Sequence, residues 1–267
     1  DQEFINLFGG GNSVGVSRSG QNDPVQSSMA FGLPDHFSKF VRGKYDKITY
    51  SDTNLEQKVE VGGLFAGGVG KTQNGLGFGV KGGVVSTSAK GTNSTDALYD
   101  NESSGGLLQF GIAQKTQGAV FDLGVHVGAL NHDNKRFVNA GSGVETAYAS
   151  FNSVFYGVSL GAASPLVMAN GLTITPSARV SATQQRFGSY TETGATANAS
   201  VGSRKATITA AKIGVEVAKQ LEYGLLSGSV ELQSRHSNGD GAFDVSLFGT
   251  TASGSSLGRS DSFGKIG

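Results

Sequence analysis

The chain has 267 residues, with 21 Lys+Arg balanced by 21 Asp+Glu, 42 Gly, 4 Pro and neither Cys nor Trp. Balanced charge leaves no basic field to recruit nucleic acid, and a chain without Cys has no disulfide or thiolate metal site. No apolar run reaches the roughly 20 residues of a membrane helix, so a helical membrane protein is excluded; a barrel is not, because half of each barrel strand is polar.

Residues 1–36 carry only weak signals. Phe4-Ile5-Asn6-Leu7-Phe8 is a short apolar cluster, and Ser13–Ser17 and Ser27–Phe31 have the look of short strands. No basic and apolar signal-peptide pattern begins at Asp1, so the chain is read as mature or as an excerpt. This stretch is expected to be a linker or weak first strands, with the barrel over residues 37–267.

From Lys39 onward the period is two, the spacing of a strand with unlike faces. Phe40, Ile48 and Tyr50 share one face. Val59, Val61, Phe65 and Val69 lie opposite Lys58 and Glu60. Lys71 to Gly75 reads as a hairpin turn carrying Asn-Gly. Leu76, Phe78, Val80 and Val84 face away from Lys81. A polar loop is expected over Ser88–Ser104, then a strand with Leu108, Phe110 and Ile112, and a turn at Lys115–Gly118. Phe121, Leu123, Val125 and Val127 oppose Asp122 and His126. A second polar loop is expected over Asn131–Glu145, followed by a strand with Val154, Tyr156, Val158 and Leu160 outward. The turns are short and the loops long, in strict alternation. Up-and-down outer-membrane barrels do this, with turns on the periplasmic side and loops outside the cell.

The stretch from Gly171 to Leu221 is the most informative. Leu172, Ile174, Pro176, Ala178, Val180 and Ala182 alternate with Thr173, Thr175, Ser177, Arg179, Ser181 and Thr183. A polar loop, Arg186–Arg204, leads to a strand with Ile213, Val215 and Val217 opposite Lys212 and Glu216. Leu226, Val230 and Leu232 then oppose Glu231, Gln233 and Arg235. Gly171-Leu-Thr-Ile-Thr-Pro176, followed by Phe187 and by Tyr190-Thr191-Glu192-Thr193-Gly194, resembles the autotransporter β-domain of type V secretion, in which a G-x-x-x-x-P strand precedes an aromatic and an E-x-G segment. Gly171, Pro176, Tyr190, Glu192 and Gly194 carry that resemblance.

The resemblance implies an all-β fold: a transmembrane antiparallel barrel of about twelve strands. Ten are clear between Lys39 and Gly249, the last being Ala242–Gly249. Ile266-Gly267 reads as the start of a strand, so one or two C-terminal strands are expected beyond this chain. An open edge in lipid is costly, so closure is required. The implied role is a translocator in the outer membrane of a Gram-negative bacterium. Its partners would be outer-membrane lipid, its own N-terminal passenger segment and the membrane's assembly machinery, with no cofactor. A porin-like channel of the same architecture and a soluble or surface Gly/Ser-rich β adhesin are the rival readings.

Lys58, Glu60, Lys81, Asp122, His126, Arg179, Lys212, Glu216, Glu231 and Arg235 fall on the polar parity and are expected to line the lumen. Tyr156, Phe187, Tyr190, Tyr223 and Phe248 are candidates for an aromatic girdle. Gly67-Gly68-Val69-Gly70-Lys71-Thr72 imitates a P-loop, but Phe65 occupies its first glycine and a turn follows it. The four His are scattered without metal-ligand spacing; His36, His132 and His236 read as loop residues. No G-x-S-x-G elbow is present, so neither a catalytic nor a metal site is expected.

Overall fold

The computed structural model describes residues 38–52, 55–73, 76–93, 96–139, 143–221, 224–239, 243–247, 250–254 and 259–266. The expected linker, residues 1–36, lies outside them, as do Asn74-Gly75, Tyr223 and Phe248. The long strands are β1 (Ser38–Asp52), β2 (Leu55–Lys71), β3 (Leu76–Thr92), β4 (Ala97–Lys115), β5 (Val120–Asn139), β6 (Val144–Ala163), β8 (Leu172–Phe187), β11 (Arg204–Leu221), β12 (Gly224–Gly239) and β15 (Arg259–Ile266). Short pieces are β7 (Leu166–Val167), β9 (Tyr190–Thr191), β10 (Ala199–Val201), β13 (Phe243–Leu247) and β14 (Thr250–Gly254).

The long strands form one antiparallel meander in the order β1-β2-β3-β4-β5-β6-β8-β11-β12-β15, with β7 paired to β8. Among the described residues no ladder joins β1 to β15. Loop pieces make a second sheet, β14-β13-β10-β9.

Alternation decides the faces. Leu108, Phe110 and Ile112 on β4 are 49%, 49% and 47% exposed, while Leu107 and Ala113 on the other parity are buried. The same holds for Phe121 to Val127 on β5, Val154 to Leu160 on β6, Ile213 to Val217 on β11 and Leu226 to Leu232 on β12. An outward band of large apolar groups on so many adjacent strands has no aqueous use; it is the lipid face of a barrel.

Four expectations need correction. The polar stretches 88–104 and 131–145 are mostly strand: β3 runs to Thr92 before β4 resumes at Ala97, and β5 runs to Asn139 before β6 resumes at Val144. Both faces are polar there, so the apolar alternation disappears although the backbone pairing does not. Strand β2 has the opposite orientation to its neighbours' pattern. Val59, Val61, Phe65 and Val69 are buried, and Lys58 and Glu60 share the outward parity with the 56%-exposed Leu64. The tenth expected strand, Ala242–Gly249, forms β13 of the small sheet rather than a barrel strand. The last described strand opens at Arg259 rather than at Ile266, since β15 pairs with Val230–Ser237 of β12.

The reason for the β2 inversion is an apolar cluster on the inner wall. Phe65, Val85, Leu107, Leu130 and Phe155, one from each of β2 to β6, pack together. Glycines on neighbouring strands make room for it. A Cβ on Gly128 would fall on the Phe155 ring and 2.6 Å from the Gly106 carbonyl oxygen. Gly128→Ala is therefore expected to destabilise the barrel by about 1–3 kcal/mol through overpacking. Urea titration in detergent micelles would measure this, with wild-type stability in the variant as the contrary result.

Candidate functional site: the inner wall and the mouth

The inner wall of β5, β6 and β8 is braced by side chains that reach across a whole strand. Asp122 on β5 and Arg179 on β8 flank Gly161 of β6 in register. Arg179 Nη2 donates to Asp122 Oδ1, and Nη1 donates to Ser159 Oγ at 3.1 Å. Both charged side chains are only 9% exposed. A Cβ on Gly161 would fall on the Asp122 carboxylate, so the absence of a side chain there is what lets the pair meet. One repeat further along, His126 reaches across Gly157 to Thr183, Nε2 to Oγ1 at 3.0 Å.

The other expected lumen residues are placed as follows. Lys212 and Glu231 form an ion pair at 2.8 Å, 10% and 13% exposed, across β11 and β12. Lys81 Nζ stands 5.7 Å from the centroid of the Phe65 ring, and Glu216 is inward and half-buried. Lys58 and Glu60 are outward and are bound to Glu56 and Lys47 at 2.8 and 2.7 Å, so they do not belong to this wall. The Arg235 side chain lies outside what is described. Asp122 and His126 bond different partners, so the two are not halves of one catalytic relay.

Above the apolar cluster the wall becomes polar again. His132, 1% exposed, receives or donates hydrogen bonds at both ring nitrogens: Nδ1 to Ser103 Oγ and Nε2 to Ser153 Oγ, each at 2.7 Å. Gln185 Nε2 donates to the same Ser153 Oγ at 2.9 Å. The expectation that His132 is a loop residue fails because β5 continues past the apolar band. Phe151 stacks on His132 at 4.7 Å and on Tyr190 at 4.5 Å. The Arg204 guanidinium lies 4.6 Å from the Phe187 centroid, 5.5 Å from Phe151 and 5.9 Å from Tyr190. Phe187 and Tyr190 thus face inward and are not girdle residues; Tyr156, 42% exposed, is outward.

The segment between β8 and β11 closes over this stack. Tyr148 and Thr193 exchange backbone hydrogen bonds of 2.8 and 2.9 Å, extending the free upper edge of β6. Gly194, at φ +95°, then turns the chain inward, a conformation that favours glycine. Glu192 is 3% exposed and accepts from Arg136 Nε at 3.0 Å, Arg136 Nη2 at 2.5 Å and the Ala199 N–H at 2.8 Å. Arg136 Nη2 also donates to the Ala197 carbonyl at 2.7 Å. Burial alone would push the Glu192 carboxyl up; the hydrogen bonds from Arg136 and Ala199 outweigh it, and its pKa lies below the ordinary carboxylate value. Thr196 donates its N–H and its hydroxyl to Glu145, at 2.5 and 2.7 Å.

The remaining motif residues sit at the opposite end of β8. Gly171, at φ +75°, ends the turn before the strand, donating its N–H to the Met168 carbonyl at 3.0 Å. The Pro176 carbonyl accepts from the Ser164 N–H at 3.0 Å, just past the end of β6. A proline is tolerated there because the donor it lacks would face the side where β6 has already ended.

A meander with an apolar outer band, a braced polar interior and this motif spacing matches the autotransporter β-domain family over residues 40–264. The chain belongs to that family. Its fold is similar to the translocator domain of the autotransporter NalP from Neisseria meningitidis, with TM-score 0.60, 12% identity, and coverage of 86% of this chain and 85% of that one. It is also similar to the β-domain of the Bordetella autotransporter BrkA, with TM-score 0.55, 13% identity, and coverage of 85% and 96%. No curated protein matches. The autotransporter β-domain is an antiparallel outer-membrane barrel and a transporter fold, not an enzyme family. Among the described residues no group of three His, Asp or Glu could hold a metal ion.

Sequence reasoning missed Arg136, Arg204, Gln185 and the burial of His132. The signal was available: His132, Asn134 and Arg136 continue the inward parity of His126 and Leu130 without a break.

Proposed function

We propose that this autotransporter β-domain resides in the outer membrane of a Gram-negative bacterium and helps carry an N-terminal passenger to the cell surface. Lys81, Asp122, His126, Arg179, Lys212, Glu216 and Glu231 form the wall the passing chain meets. The observation that carries this reading is that the wall's strongest charges neutralise one another. Arg179 is paired with Asp122 and Lys212 with Glu231, each pair largely shielded. A conduit for chains of varied sequence must not hold any one charge tightly, and internally paired charges leave a polar surface without a strong net field. Insertion of the apolar band is work for the outer-membrane assembly machinery.

The test is export of a reporter. A protease-sensitive tagged domain fused ahead of residue 1 is expected to be cleaved by protease added to intact cells, while the barrel migrates faster unboiled than boiled. A folded barrel whose reporter stays protected overturns export. Stepwise ion conductance from such a barrel in a planar bilayer would support the porin-like rival.

A further inference from the structure

The hydrogen bonds around His132 leave a buried acceptor without a donor. Burial above all lowers the His132 pKa to about 4, so the ring is neutral and carries one proton. Ser103 Oγ gives its own proton to Asn101 Oδ1 at 3.1 Å, so it accepts from His132 Nδ1. His132 Nε2 then accepts from the Ser153 hydroxyl, and Ser153 Oγ in turn accepts from Gln185 Nε2. This relay fixes the Gln185 amide, with its nitrogen turned to Ser153. Gln185 is 0% exposed, and its Oε1 meets no donor among the described residues. Buried polar groups are paired as a rule.

Beside it is a buried donor without an acceptor, Arg204 Nη1. The guanidinium lies against the rings of Phe187, Phe151 and Tyr190, whose faces answer its charge but offer Nη1 no lone pair. Of the carboxylates at this level, Glu192 is taken by Arg136 and the Ala199 N–H, and Glu145 by Thr196. Glu102 and Asp133 lie on the outward parity. On the β12 side, Asp240 and the Asp244 side chain lie outside what is described. Burial lowers the Arg204 pKa, and of the groups around it only Tyr190 raises it, so no carboxylate faces the guanidinium.

The two atoms belong to neighbouring rows of the inner wall. Arg204 stands opposite Phe187, and Gln185 stands opposite Ala206. Diagonal neighbours of this kind are about 7–8 Å apart. In an extended polypeptide the backbone groups that point one way recur every two residues, about 7 Å. A carbonyl of such a chain can accept from Arg204 Nη1 while an N–H donates to Gln185 Oε1. A carboxylate would satisfy the first and be repelled by the second.

We propose that this donor–acceptor pair docks the backbone of the exported chain, through groups common to every sequence. The rings of Phe151 and Phe187 give an apolar floor for the side chain that comes with it. Tyr190 stacks on Phe151 and rides on the segment anchored by Glu192, so the site is covered while that segment is held. The site rests on the export reading above.

The test is equilibrium dialysis of the folded barrel in detergent, checked by unboiled gel mobility. The probes are labelled acetyl-Ala-Phe-Ala-amide and its fully N-methylated counterpart, which keeps the carbonyls and loses every N–H. The unmodified peptide should be retained about tenfold better, the worth of one hydrogen bond. Gln185→Met should abolish that preference. Arg204→Met should weaken both peptides about tenfold and leave the preference intact. Glu192→Ala, by releasing the covering segment, should raise retention of both. Equal retention of the two peptides by the wild type, a preference that survives Gln185→Met, or unchanged retention in Arg204→Met would each overturn the site. A barrel that binds in the expected pattern while its fused reporter stays protected would support the site as a peptide site and overturn export alone.

Discussion

Asp122→Ala is expected to lower the stability of the barrel by about 3–5 kcal/mol, the cost of leaving a buried charge without its partner. Arg179 would keep only its 3.1 Å bond to Ser159 while remaining 9% exposed. Asp122→Asn keeps the shape and one acceptor, so it should lose less. The informative variant is Asp122→Leu combined with Arg179→Met. A well-packed apolar pair in place of a buried ion pair is often neutral or stabilising, so the double variant should recover most of the loss. The measurement is urea-induced unfolding of the barrel in micelles, run as a double-mutant cycle. Strictly additive losses would show that the two side chains do not act as a pair.

Glu192→Ala should release the segment between β8 and β11 from the mouth, with a local loss of about 2–3 kcal/mol for the charged hydrogen bonds removed. The barrel itself should stay folded, because the β5–β6 ladder and the β8–β11 ladder do not depend on Glu192. Limited proteolysis is the readout: cleavage between Tyr190 and Val201 should accelerate while unboiled mobility stays unchanged. Acid should do the same to the wild type. The folded carboxyl titrates below its unfolded value of about 4.3, so its stabilisation is complete above that pH and is lost as pH falls through the folded pKa. Pepsin digestion at stepped acid pH tests the sign. In Glu192→Gln the acid-induced step should shrink to the part set by Glu145, whose carboxylate holds Thr196 of the same segment. A wild-type segment equally resistant at neutral and strongly acid pH would overturn the role of Glu192.

The two predictions concern residues of different legibility. Asp122 and Arg179 could be placed inward from their own sequence neighbourhoods, because Phe121, Leu123, Val180 and Ala182 mark the opposite face. Their pairing was not legible: it depends on Gly161, and nothing in a single sequence says which glycine lies between which side chains. Glu192 was legible only through the motif it belongs to. Its partner Arg136 sits in a stretch that reads as loop, because strands that rise above the lipid lose the apolar half of their pattern while keeping their hydrogen bonds. Strand β2 marks the deeper limit. Period two separates the faces of a strand but does not say which is inside. Val59, Val61 and Phe65 against Lys58 and Glu60 looked like lipid against lumen, and only the packing of Phe65 against Val85, Leu107, Leu130 and Phe155 fixes the reverse.

The raised ends of β3 to β6 also set a minimum reach for any exported chain. From Asn131 to Asn139, β5 continues beyond the apolar band for about 30 Å of strand, or about 20 Å of height at a barrel tilt near 40°. Added to a hydrocarbon core of about 30 Å, this hides some 15 residues of extended polypeptide. A processing enzyme in the medium could not grip that length, and a folding nucleus could not include it. On the export reading proposed above, whatever matures outside the cell would begin its tertiary structure at least that far ahead of the barrel's entrance.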